Sequence, residues 1–137
     1  MVHSQEIRRQ LERFFGQAPA DVVAVYVFGS HGRGDAKVAS DVDVAVLFRE
    51  APEPGLDGPR FRLASDLEHL LRRPVDLIVL NEASPDLCHR VFRDGALVLD
   101  RDRAFRIRFE VKRRNEYLDF LPVLQRYRRY PRAPIGR

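Results

Sequence analysis

Cysteine is almost missing: Cys88 stands alone in 137 residues. No disulfide framework can form within the chain, and a reducing, cytosolic setting is expected. No apolar run reaches the length of a membrane span. The first residues lack the apolar stretch of a secretory leader, and Arg8 and Arg9 fall among polar neighbours. His3, His31, His69 and His89 show no metal-binding spacing, and no Cys or His pattern surrounds Cys88, which reads as a small core residue. Internal repeats and low-complexity tracts are also lacking. These gaps leave a soluble, cytoplasmic protein without a membrane partner. The length fits one domain over residues 1–137, and a 45% hydrophobic composition is enough for a core without staples.

Charge is present but unevenly spread. The formal net charge is +4, yet residues 101–137 hold twelve Lys/Arg against four Asp/Glu. A basic segment of this kind meets an acidic partner or a polyphosphate, or else is a solvated, arginine-decorated helix.

Periodicity divides the chain. Residues 3–15 place Ile7, Leu11 and Phe14/Phe15 at helical spacing, and Gly16 and Pro19 end that helix. VVAVYVF (22–28) is β-branched and aromatic, a buried strand. A glycine-rich loop follows, with a short helix expected from Ser30. DVDVAVLF (41–48) is a second strand, with Asp41, Asp43 and Ala45 on one face and Val42, Val44 and Val46 on the other. Residues 51–59 form a turn-rich loop. Residues 60–73 place Leu63, Leu67, Leu70 and Leu71 on one helical face, stopped by Pro74. VDLIVL (75–80) is a third strand, 85–94 a helix closed by Gly95, and ALVLD (96–100) a short fourth strand. From Arg101 to about Tyr130 the pattern is helical, and Pro122 is expected to kink or break it. Tyr117, Phe120, Leu121 and Leu124 form an apolar stripe there, read as core packing or as a face for a partner. The order α-β-β-α-β-α-β-α argues for an α/β or α+β sheet covered by helices.

The chemistry concentrates in GSHGRGDAKVASDVD (29–43). Asp41 and Asp43 alternate on one strand, so their side chains leave the same face with Cα atoms roughly 6–7 Å apart. Two carboxylates so placed repel each other, and hard divalent cations cancel the cost; Mg²⁺ is often held by one or two carboxylates plus substrate phosphates. A pair of such ions serves in-line displacement at phosphorus. Gly29 lets the backbone approach a ligand closely, and Ser30 at a helix start adds a hydroxyl and N–H groups to a phosphate cradle. Arg33 and Lys37 are placed to neutralise further phosphate charge. Asp76, second in its strand, supplies a third carboxylate if that strand lies beside Asp41 and Asp43; there it can hold metal and accept the proton of an attacking hydroxyl. The tripeptide Arg33-Gly34-Asp35 is read as coincidence.

Gly29-Ser30, ten residues, then Asp41-Val42-Asp43 matches the signature of the DNA polymerase β-like nucleotidyltransferase superfamily. VDLIVL with Asp76 looks like its third-carboxylate strand. Within that superfamily the chain resembles the minimal nucleotidyltransferases, the antitoxin half of HEPN/MNT toxin–antitoxin pairs, in its compact length and in the tail RFRIRFEVKRRNEYLDFLPVLQRY. The resemblance implies a polymerase β palm-like mixed sheet flanked by helices, with a catalytic core at about 20–100 and a basic helical segment at about 101–130. It implies that ATP binds with two Mg²⁺, that a hydroxyl attacks the α-phosphorus and that pyrophosphate leaves. The acceptor in such antitoxins is a tyrosine of the HEPN ribonuclease, silenced by AMP. On this resemblance Gly29 and Ser30 contact the nucleotide, and Asp41, Asp43 and Asp76 are the catalytic metal ligands, with Asp76 also the base. Arg33 and Lys37 lie between motif positions and are not carried over.

The residues point the same way on the acceptor. The sheet and its helices use nearly the whole sequence, leaving little to enclose a small acceptor, which suits a protein substrate or a homo- or hetero-oligomer. No direct nucleic-acid binding is expected. Two alternatives stay open: a small-molecule (aminoglycoside-like) nucleotidyltransferase, which the basic C-terminal segment disfavours, and a non-catalytic toxin-binding antitoxin, disfavoured by the presence of all three aspartates.

Overall fold

The run VVAVYVF makes the central strand. Its β-branched and aromatic side chains suit a pleated surface covered on both sides, and every residue from Val22 to Val27 is buried. The computed structural model describes residues 2–29, 41–53 and 58–129. It contains a four-stranded sheet in the order β3-β2-β1-β4, built from β1 (Val22–Phe28), β2 (Val42–Phe48), β3 (Val75–Val79) and β4 (Ala96–Asp100). β1 pairs antiparallel with β2 and with β4. β2 and β3 run parallel, a pairing that needs a long crossover, and α2 (Pro59–Leu71) lies in it.

Helices cover both faces. On one, Ile7, Leu11 and Phe15 of α1 (Val2–Gly16) and Leu67 and Leu71 of α2 meet Val25, Val42, Val44 and Val46. On the other, Val23, Ala24, Tyr26, Ala45 and Leu47 meet Cys88 and Val91 of α3 (Pro85–Asp94). Phe105 and Phe109 of α4 (Arg103–Arg129) close that second layer. The mixed sheet between helical layers is the fold class expected from the order of elements.

Polar side chains lock the seams. The Arg101 guanidinium donates to the carbonyls of Phe15 (3.0 Å), Gly16 (3.3 Å), Ala18 (2.9 Å), Pro19 (2.6 Å) and Val22 (3.3 Å). It thereby satisfies the end of α1, whose last carbonyls have no partner within the helix. Asn81, in a short 3₁₀ turn after β3, accepts from Phe48 N (2.9 Å) and donates to Phe48 O (2.8 Å), extending the contact with β2 past the end of β3. The Tyr26 hydroxyl donates to Glu110, and Arg106 donates to Glu110 (3.0 Å) and Asp100 (2.9 Å). Burial, then the Glu110 bond, raises the Tyr26 hydroxyl well above its usual range. Burial likewise pushes the Cys88 thiol up to about 11, and Cys88 is indeed a core residue.

Some expectations change. Leu70 does not share the buried face of α2: it is 43% exposed, while Leu67 and Leu71 are buried. The helix packs against β3, at the edge of the sheet, so only a narrow stripe is covered. Pro122 does not break α4, which continues to Arg129; Pro122 is exposed, and there water can meet the carbonyl that loses its N–H partner. The apolar stripe near the C-terminus divides: Tyr117 stacks on His89 with ring centroids 4.0 Å apart, whereas Phe120 is 46% exposed. No described helix is long and apolar enough to cross a membrane.

Candidate active site

Three strand ends meet at one edge of the sheet. β1 finishes at Phe28, and β2 begins beside it, with Phe28 opposite Asp43. β3 begins beside β2, with Asp43 opposite Asp76. Alternation does the rest. Val42 and Val44, like Val75 and Leu77, turn into the α1/α2 layer, so Asp43 and Asp76 turn to the other side. Parallel neighbours on one face stand about 4.8 Å apart, which makes this a close pair of like charges. Asp76 is exposed and Asp43 half-buried.

Gly29 is bound to this pair by geometry. Its φ is +66°, a left-handed conformation that side-chain-bearing residues adopt at a cost. A Cβ there would run into the Asp43 carboxylate, reaching its Cγ at 3.3 Å. The glycine leaves the backbone bare where the carboxylate needs room.

A cleft of ≈ 280 Å³ opens at this point, lined by Phe28, Gly29, Asp43, Asp76, Arg90 and Asp94. Arg90 and Asp94 come from α3, whose course is fixed by a Ser84 cap on Leu87 N (3.2 Å) and by the buried Cys88 and Val91. Nothing in the sequence singles out either residue beyond their one-turn spacing. A larger hollow of ≈ 370 Å³ lies by Pro19, Val22 and Phe48, at the opposite end of β1 and β2, and holds none of the motif residues.

The structure therefore brings Gly29, Asp43 and Asp76 together. Asp41 stands one residue before β2, exposed, and does not line the cleft. Ser30, with Arg33 and Lys37 and the helix expected from Ser30, lies outside the described residues. Among the described residues no three His, Cys, Asp or Glu side chains close into a metal cage. Two adjacent carboxylates are nevertheless an all-oxygen donor set, and Mg²⁺ commonly takes one or two of these and completes its shell with water and phosphate oxygens. The residues present fit such an ion.

Comparison with known proteins agrees with this geometry. A polymerase beta nucleotidyltransferase family model matches residues 9–104, which include every strand. The protein adenylyltransferase MntA of Shewanella oneidensis is 39% identical over 72 residues, 52% of this chain and 49% of that protein; the match spans about half the length of that relative. The protein adenylyltransferase MntA of Thermococcus cleftensis is 36% identical over 97 residues, 70% of this chain and 85% of that one. Among solved structures, a toxin–antitoxin complex with AMP-PNP superposes with a TM-score of 0.73 at 26% identity, covering 86% of this chain and 92% of that one. The chain belongs to the polymerase beta nucleotidyltransferase family.

Proposed function

We propose that this protein is an antitoxin that transfers AMP from ATP to a tyrosine of a HEPN-type ribonuclease toxin and so silences it in the cytoplasm. The observation that carries the reading is the register of Asp43 against Asp76 beside a glycine that cannot bear a side chain. The relatives named as protein adenylyltransferases support protein as the acceptor, and the toxin–antitoxin neighbour with AMP-PNP supports a toxin partner and an ATP substrate.

In this reading Gly29 and Ser30 hold the triphosphate against the start of β2. Asp41, Asp43 and Asp76 hold Mg²⁺, which supplies charge neutralisation at the phosphates and an activated acceptor oxygen. Asp76 makes no hydrogen bond or ion pair among the described residues, and its carboxylate takes the tyrosine proton. The tyrosine oxygen bonds to the α-phosphorus, the bond to the bridging oxygen breaks, and pyrophosphate leaves with the electron pair.

Label transfer tests it. Wild type and Asp43→Ala are incubated with α-labelled ATP and Mg²⁺, together with the co-encoded neighbour or lysate. A labelled protein that disappears with Asp43→Ala is expected, and its mass identifies the partner. Label on small molecules alone would replace the protein acceptor with a small one. No label anywhere, with a partner still bound, would leave a binding antitoxin without catalysis.

A further inference from the structure

The cleft contains a cation that the motif does not account for. Arg90 is the one basic side chain among its described lining residues, beside Asp43, Asp76 and Asp94. Proximity to carboxylates would ordinarily produce ion pairs, as it does for Arg93, which donates to Asp94 at 3.0 and 3.1 Å. Arg90 makes no hydrogen bond or ion pair among the described residues, and its side chain is exposed.

The helix that carries it is nonetheless held in place. Cys88 and Val91 are buried in the second core layer, and His89 is clamped by its parallel stack on Tyr117. From this packed helix Arg90 lines the cleft. The end of α3 also abuts β1: a Cβ on Gly95 would meet Val27 O at 3.3 Å and Phe28 Cβ at 3.4 Å. Arg90 therefore approaches from the β1 side, where Gly29 lies, and not from the β3 side, where Asp76 lies.

We propose that Arg90 binds the phosphates of the nucleotide that depart as pyrophosphate. This rests on the transfer chemistry proposed above. If the α-phosphorus sits against Asp43 and Asp76, the β1 side of the cleft receives either the nucleoside or the two outer phosphates. A planar guanidinium without an anionic partner selects phosphate, to which it donates two parallel hydrogen bonds. When the bond between the α-phosphorus and the bridging oxygen breaks, negative charge grows on the leaving pyrophosphate, and a cation there stabilises that charge.

Equilibrium binding of the full chain to ATP and to AMP, each with Mg²⁺, separates this role from a structural one. Arg90→Ala is expected to weaken ATP binding about 10- to 100-fold while leaving AMP binding and the melting temperature nearly unchanged. Arg90→Lys should restore part of the loss, since it returns the charge without the fork. ATP affinity unchanged in Arg90→Ala would overturn the proposal, as would equal losses for ATP and AMP. A wild type that binds ATP but labels no acceptor would sink the proposed function and leave the phosphate contact standing. A wild type that binds no ATP would sink both.

Discussion

Two groups of ionisable side chains sit on the same face of the same sheet and are built in opposite ways. Around Tyr26, Arg106 stands between Glu110 and Asp100 and the tyrosine hydroxyl donates to Glu110, so each charge has an opposite neighbour. At the strand ends, Asp43 and Asp76 are placed side by side with the same sign. Folding alone gains from the first arrangement and pays for the second, because adjacent carboxylates disfavour each other's charged forms. A like-charge pair at the mouth of a cleft suits a cation-dependent reaction, and under the proposed function the contrast separates machinery from scaffold within one layer.

The contrast breaks first at Asp76. On the proposed function Asp76→Asn should lower AMP transfer on the order of 10³-fold, since losing the proposed metal ligand forfeits several kcal/mol of charge stabilisation, yet denaturant unfolding without Mg²⁺ should show equal or higher stability. A large stability loss would mean that Asp76 is scaffold. Glu110→Ala should do the reverse. Leaving Tyr26 and Arg106 without their shared acceptor costs about 1–3 kcal/mol in urea unfolding, while transfer per folded molecule stays at the wild-type rate. Gly29→Ala probes the border between the two groups. Its left-handed backbone and the Asp43 contact together predict a loss of about 1–2 kcal/mol with transfer reduced as well; a fully active Gly29→Ala would show that the strand end can shift.

The smallest effect is a pH dependence. Tyr26 is raised from 10.0 by burial and by Glu110, and Cys88 from 9.0 to about 11 by burial. Both are neutral when protonated, so their contribution is intact below the unfolded values and is lost as pH rises through 9 and 10 towards the folded ones. Stability measured from pH 8 to 11 should decline, and Tyr26→Phe should flatten the later part of that decline. A Tyr26→Phe curve parallel to the wild type would show that the buried hydroxyl does not ionise on unfolding.

Much of this was readable from the residues. Strand β1 announces itself because VVAVYVF has no side chain that prefers water, and the alternation in DVDVAV places Asp43 opposite to its valines. The partnership of Asp43 with Asp76 was legible only as a condition, since the order of strands depends on how the crossover packs. Arg90 was not legible. It lies on a separate helix, and its direction is set by the burial of Cys88 and Val91 and by a stack between His89 and Tyr117, contacts between distant segments that periodicity does not encode. Leu70 misled for a related reason: helical spacing says which residues share a face, and the neighbouring sheet edge decides how wide a face is covered. Ser30 remains an assignment by motif.

The parallel register of β2 and β3 constrains where the chain can change length. Residues 49–74 connect the two strands and include α2, and that connection can gain or lose residues without disturbing the pairing of Asp43 with Asp76. Within β3 the tolerance vanishes. A single residue inserted between Val75 and Asp76 would turn every later side chain to the opposite face, sending a carboxylate into the apolar layer and Leu77 into the cleft. Among the family's sequences, deletions and insertions should therefore gather in the crossover and avoid the first residues of the third strand.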